Sequence, residues 1–292
     1  MSYTEFDVPV AGGHLRVCRW PAAHDNAPTV LAAHGITANA LSWAAVADAL
    51  AGRATLIAAD LRGRAGSAGL PGPYGLAQHA DDLVAIADHL NLDRVSIAGH
   101  SMGGFVVAVA AVRHPDRITS LLLVDGGVTL QVPEGADIDA TLAAVIGPAM
   151  RRLQMTFPDP QAYLDFWRAH PALSADWSPV IEAYALRDLV GHPPTLGSSC
   201  DLDAVRRDAT DTLLDEQTTT AIHRVGCPTT LLWCERGILD EPRGLYDDAR
   251  LDAAGVDRTR VTVERVADVN HYTVLLSAKG ATVVADHIGR LS

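Results

Sequence analysis

The chain has 292 residues, enough for one large domain or a core carrying an insertion, and it is 48% hydrophobic and 20% charged, a globular balance. Its net charge of −12 argues against nucleic acid or an anionic membrane as principal partner, because both require basic faces. No apolar run reaches the length of a membrane span, and "MSYTEFDVPVAGGHLRV" lacks the basic start and apolar block of a signal peptide. The four cysteines (Cys18, Cys200, Cys227, Cys234) show no C-x-x-C spacing, so reduced thiols in a cytoplasmic protein are expected.

Taken in chain order, Glu5–Val10 and Leu15–Trp20 read as a strand hairpin, followed by strands at Thr29–Ala33 and Thr55–Ala59. In "YGLAQHADDLVAIADHL", Leu76, Ala80, Leu83, Ala87 and Leu90 fall on one stripe at helical spacing. Val95–Ala98 reads as the next strand, Met102–Val112 as a small-residue helix buried on most sides, and Ser120–Val124 as a further strand. From about Val128 to His223 the alternation stops. Pro133, Pro148, Pro158, Pro160, Pro171, Pro179, Pro193 and Pro194 punctuate helices and polar loops there, with Phe157, Tyr163, Phe166, Trp167, Trp177 and Tyr184 among them. Such a stretch is too long for a plain loop and predicts a helical cap. Strands resume at Thr229–Trp233 and Val261–Val266. A hairpin followed by strand–helix alternation predicts an α/β fold: a mostly parallel eight-stranded sheet flanked by helices. The expected divisions are a first core part over 1–127, the cap over 128–223 and a second core part over 224–292.

Between the Val95 strand and the Met102 helix stands Gly99-His100-Ser101-Met102-Gly103, a G-x-S-x-G turn. A turn this tight holds the serine in a strained conformation and leaves no room for bulky flanking side chains. It would lift the Ser101 hydroxyl above the sheet and aim the Met102 N–H at an incoming oxyanion. A glycine-rich packing turn is the bland alternative. His100 is expected to be turned away, packing or bonding to the cap.

These features resemble the α/β-hydrolases over nearly the whole chain: the two opening strands, "LAAHGITAN", "AADLRGRAGSAG", "GHSMGG", the cap, and "VNHYTVLL". The resemblance implies the order Ser…acid…His and a base after the last strand, which is His271 in "ADVNHYT". His34-Gly35 matches the family's His-Gly motif, so Ile36 would supply the second oxyanion N–H, with His34 as a loop organiser. The acid is harder to place. Most relatives carry it after the seventh strand, where this chain reads Trp233-Cys234-Glu235-Arg236-Gly237, with glycine at the expected aspartate. Three readings stand: Asp125 after the sixth strand, Asp240 three residues late, or no acid. In this fold the sixth strand neighbours the one that carries the serine, about 4.8 Å away, which favours Asp125.

A serine triad suits acyl transfer to water. The cap aromatics and the modest number of basic residues point to an apolar, uncharged, aromatic ligand, with Trp167, Trp177 and Tyr184 as candidate substrate contacts; the resemblance extends this to a macrocyclic ester or lactone. Within the family the strand-six acid is similar to lactonases acting on zearalenone, the leading specific expectation. Carbon–carbon hydrolysis in aromatic catabolism and a non-catalytic ligand-binding role remain alternatives. Asp60 and Arg62 read as turn residues and Asn39 as a helix N-cap. No metal-ligand spacing and no phosphate loop is present, so neither metal nor cofactor is expected. The expected partner is a small molecule, neither nucleic acid nor membrane, with homo-oligomerisation left open. Activity should rise with pH as His271 loses its proton.

Overall fold

The computed structural model describes residues 2–129, 147 and 150–291; the part of the expected cap at 130–146, which contains Pro133, and also Pro148, lie outside the described residues. Eight strands form one sheet: β1 (Thr4–Val10), β2 (Gly13–Trp20), β3 (Thr29–Ala33), β4 (Thr55–Ala59), β5 (Val95–His100), β6 (Ile118–Val124), β9 (Thr229–Cys234) and β10 (Val261–Val266). A separate two-stranded hairpin, β7 (Leu189–Val190) with β8 (Gly197–Ser198), lies between β6 and β9 in sequence. The spatial order of the large sheet is β1-β2-β4-β3-β5-β6-β9-β10, antiparallel at the first two pairings and parallel thereafter.

Parallel strands covered on both faces read as continuous apolar runs, and β6 shows why. Leu121 and Leu123 point into one cluster with α2 (Leu76–His89) and α3 (Met102–Arg113). Leu122 and Val124 point into the other, with α1 (Ala44–Leu50), α10 (Thr273–Leu276) and α11 (Ala278–Ile288). The two-residue period of the strand thus feeds two cores from one segment. α3 is enclosed along nearly its whole length, Met102 to Ala111, which explains its small side chains and lack of a polar stripe.

Apart from the β7–β8 hairpin, the described part of the insertion between β6 and β9 is mainly helical. α4 (Pro160–Arg168) starts at Asp159, whose side chain accepts from Ala162 N at 2.8 Å, and α5 (Pro179–Asp188) starts at Ser178. Proline stands at the first helical turn of each, where its missing N–H costs nothing. α6 (Leu202–Leu214) is capped by Asp201, two short turns, α7 (Glu216–Thr219) and α8 (Ala221–Arg224), lead back to β9, and α9 (Asp248–Ala253) joins β9 to β10. A buried Arg152–Asp188 pair at 2.5 Å, joined by the Tyr163 hydroxyl, Ser198 and Ser199, ties α4, α5 and the hairpin together. Arg152 Nη2 also donates to the Thr37 carbonyl at 3.2 Å, fastening this unit to the loop after β3. Among the described residues no helix is long and apolar enough to cross a membrane.

Candidate active site

The turn from β5 into α3 places Ser101 at φ 56° and ψ −124°, a left-handed conformation that a non-glycine residue adopts only under constraint. The constraint is visible in its neighbours. A Cβ on Gly99 would stand 2.1 Å from the Gly103 carbonyl oxygen, and one on Gly103 would stand 2.2 Å from that of Ala33, so only glycine fits at either side. Ser101 N donates to the Val124 carbonyl at 3.0 Å, anchoring the turn to β6. Met102 opens α3, so its N–H belongs to the first helical turn, where amides lack a helical acceptor.

His34, at the end of β3, organises the loop that faces this turn. Its Nδ1–H donates to the Gly35 carbonyl at 2.7 Å, and its Nε2 accepts from Leu61 N at 2.9 Å. Those two bonds define one neutral tautomer. Burial, opposed by the Gly35 bond, lowers its pKa to about 3. The Gly35–Ile36 peptide is therefore held by its oxygen, with the Ile36 N–H on its opposite edge.

The Asp125 side chain is fully buried at the tip of β6, with φ 46°. Its Oδ1 accepts from Cys234 N at 2.9 Å, and its Oδ2 meets His271 Nδ1 at 2.6 Å. A carboxylate only accepts, so Nδ1 carries the proton and Nε2 is left as the free lone pair. Asp240 takes a different role: its Oδ1 accepts from Asn270 Nδ2 at 3.0 Å and its Oδ2 pairs with Arg236. Asn270 in turn accepts from Tyr272 N and Thr273 N, so Asp240 steadies the loop bearing His271 without touching the imidazole.

His100, expected to turn away and either pack or bond to the cap, is buried and packs against His271 at the edge of the cleft. Its Nε2–H donates to the His271 carbonyl at 2.8 Å, and the two rings lie 4.7 Å apart. Burial and the neighbouring His271 push its pKa well below the ordinary value. It thus stands beside His271 as a neutral support. The signal was the parallel register, which brings the end of β5 to the β6 tip and so to the Asp125–His271 pair.

Ser101 and His271 line one cleft of about 50 Å³. Ile36, Ala38, Leu275 and Leu276 supply apolar wall, and Thr37, Ser42, Tyr184 and Tyr272 supply uncharged polar groups; among the described residues no Asp, Glu, Lys or Arg takes part. The Ser101 hydroxyl has no hydrogen-bond partner among the described residues; such catalytic contacts often tighten only when substrate binds. Of the three aromatic candidates, Tyr184 lines the cleft. Trp167 lies behind it, its ring 6.0 Å from Tyr184 and 6.4 Å from Tyr272, and Trp177 stacks under the Arg168 guanidinium at 5.1 Å; neither is in the wall. Tyr272, Ser42 and Leu275 carried no sequence signal. Asn39 caps its turn by accepting from Leu41 N at 3.0 Å, as its position predicted. Asp60 pairs with Arg187 at 2.7 Å and Arg62 with Asp82 at 2.5 Å, both as buried turn supports.

Known proteins bear on this geometry. Residues 28–278 match the family described as the alpha/beta hydrolase fold. An uncharacterized protein of Mycobacterium tuberculosis is 39% identical over 36% of this chain and 31% of its own length. A protein of Caulobacter segnis named as a carbamate hydrolase, RutD, is 36% identical over 37% of this chain and 40% of its own. The chain thus spans only about a third of the length of these curated relatives. A solved E-2-(acetamidomethylene)succinate hydrolase superposes with a TM-score of 0.81 at 21% identity, covering 99% of both chains. With its sheet order, its serine turn and a family match over most of its length, the chain belongs to the alpha/beta hydrolase fold family.

Proposed function

We propose that the protein hydrolyses a carboxylic ester or lactone with an apolar, uncharged acyl part, under a cap formed by 128–223. Ser101 Oγ attacks the carbonyl carbon while its proton passes to His271 Nε2, and the N–H groups of Ile36 and Met102 hold the negative oxygen. Collapse breaks the bond to the leaving oxygen, which takes that proton. Water then repeats the sequence on the acyl-enzyme. Asp125 keeps His271 in the tautomer whose Nε2 is free and stabilises the imidazolium.

One observation carries this reading: the 2.6 Å bond from His271 Nδ1 to a buried carboxylate, in a histidine that shares its cleft with Ser101. The named activities of the Caulobacter segnis relative and of the superposed succinate hydrolase are hydrolyses too, which supports the reaction class. A fluorophosphonate probe should label the wild type and fail on Ser101→Ala; an unlabelled wild type would point instead to a ligand-binding role.

A cleft of about 50 Å³ favours a short acyl group over a macrocycle of the zearalenone type. Among p-nitrophenyl esters, kcat/KM should fall at least about tenfold from acetate to octanoate, since lost fit at the acyl site is worth ~1–3 kcal/mol. A rise along that series would oppose the short-acyl reading.

A further inference from the structure

We propose that Asp208 of the cap, acting through Arg64, positions Ile36, so that the cap sets the aim of one oxyanion donor. The inference rests on Ile36 N–H being that donor. Arg64 lies in the turn after β4 with its side chain fully buried. Its Nε donates to the Ile36 carbonyl at 3.0 Å and its Nη1 to the Arg62 carbonyl at 2.7 Å. The same Nη1 meets Asp208 Oδ2 at 2.5 Å, from the middle of α6. Asp208 is also fully buried; its Oδ2 takes His79 Nε2 at 2.9 Å and its Oδ1 takes Gly75 N at 2.9 Å. Burial opposes its ionisation, but His79 and Arg64 outweigh that and draw its pKa to about 2.

Ile36 is thereby held from two sides. His34 fixes the peptide before it from within the core, and Arg64 fixes the carbonyl after it from the cap side. A buried ion pair is a poor way to gain stability, because desolvation consumes much of the attraction. Arg64 Nη2 is buried without a partner among the described residues, which makes the arrangement costlier still. Its advantage is direction: the planar guanidinium fork transmits the place of one carboxylate to one carbonyl. Angstrom-scale displacement of a catalytic donor costs rate far more than it costs binding.

The test uses phenylboronic acid, whose boron takes Ser101 Oγ and presents a tetrahedral oxygen to the donors. Arg64→Lys keeps the charge but loses the fork, Asp208→Asn keeps the shape, and Arg64→Met with Asp208→Leu replaces the pair by apolar bulk. In variants that fold, kcat on p-nitrophenyl acetate should fall about 10- to 100-fold with KM within about threefold. Boronate affinity should fall about tenfold or more. In the wild type, by reciprocity, boronate should slow amide exchange in α6 more than in α11. Folded variants with wild-type kcat and boronate affinity would overturn the proposal. If none folds, the exchange result decides: equal change in α6 and α11 overturns it. A wild type that binds boronate no better than Ser101→Ala would sink the hydrolase reading itself, a separate outcome.

Discussion

The carboxylate at the tip of β6 defines what single substitutions should do. Under the proposed mechanism Asp125→Asn removes the charge that stabilises the imidazolium and invites the wrong tautomer, so kcat should fall by about 10³- to 10⁴-fold. Asp240→Asn touches only Asn270 and Arg236 and should stay within about tenfold of the wild type. Steady-state kinetics of the two variants on one ester checks both, and the opposite ranking would move the acid to the β9 loop. Gly237, at the family's usual acid position, donates its N–H to the Glu241 carbonyl at 2.9 Å and has no carboxylate to offer. The sequence made Asp125 legible because an apolar run ended in an aspartate beside two glycines. The roles of Arg64 and Tyr272 were not legible although both lie in the quoted motifs, since Asp208 and Trp167, which they meet, lie far along the chain.

Whole elements were more legible than their tips. β3, β4 and β10 match the expected bounds, because β-branched or apolar runs were closed by turn residues on both sides. β5 runs two residues further than Val95–Ala98, through Gly99 and His100, whose composition suggested a turn while their backbones pair with Leu123 and Val124. The β7–β8 hairpin, two residues a strand, is too short to leave a periodic trace. One restrictive contact lies between elements: α3 crosses the end of β3 so closely that a Cβ on Gly103 meets the Ala33 carbonyl. Gly103→Ala should therefore destabilise the fold by about 1–3 kcal/mol or more through overpacking. Urea unfolding checks this, and an unchanged midpoint would contradict the crossing.

At the scale of the molecule, buried histidines set a pH limit on stability. Burial holds His34 neutral down to about 3, and burial with the neighbouring His271 pushes His100 well below its ordinary value. In the unfolded chain both titrate near ~6.5. Below that pH the unfolded state binds protons that the folded state refuses, so stability is full above about 6.5 and is lost as pH falls toward the folded values. Each group contributes a slope of up to ~1.4 kcal/mol per pH unit. Asp208, drawn to about 2, adds its own loss only below the ordinary carboxylate range near ~3.9. Urea unfolding at pH 7 and pH 5 should show the weaker fold at pH 5; equal stability at both would mean that these imidazoles are not excluded from water.

The neighbouring of β6 and β9 has a consequence for biosynthesis. Asp125 and Cys234, joined by a hydrogen bond, are 109 residues apart, and Asp125 and His271 are 146 apart. As the polypeptide leaves the ribosome, β6 emerges with its outer edge bare and stays so while the whole insertion is translated. An uncovered apolar edge of that kind invites strands from other nascent chains. The insertion between β6 and β9 thus sets how long the unfinished sheet must be shielded, and lengthening it would tax chaperones before it altered chemistry.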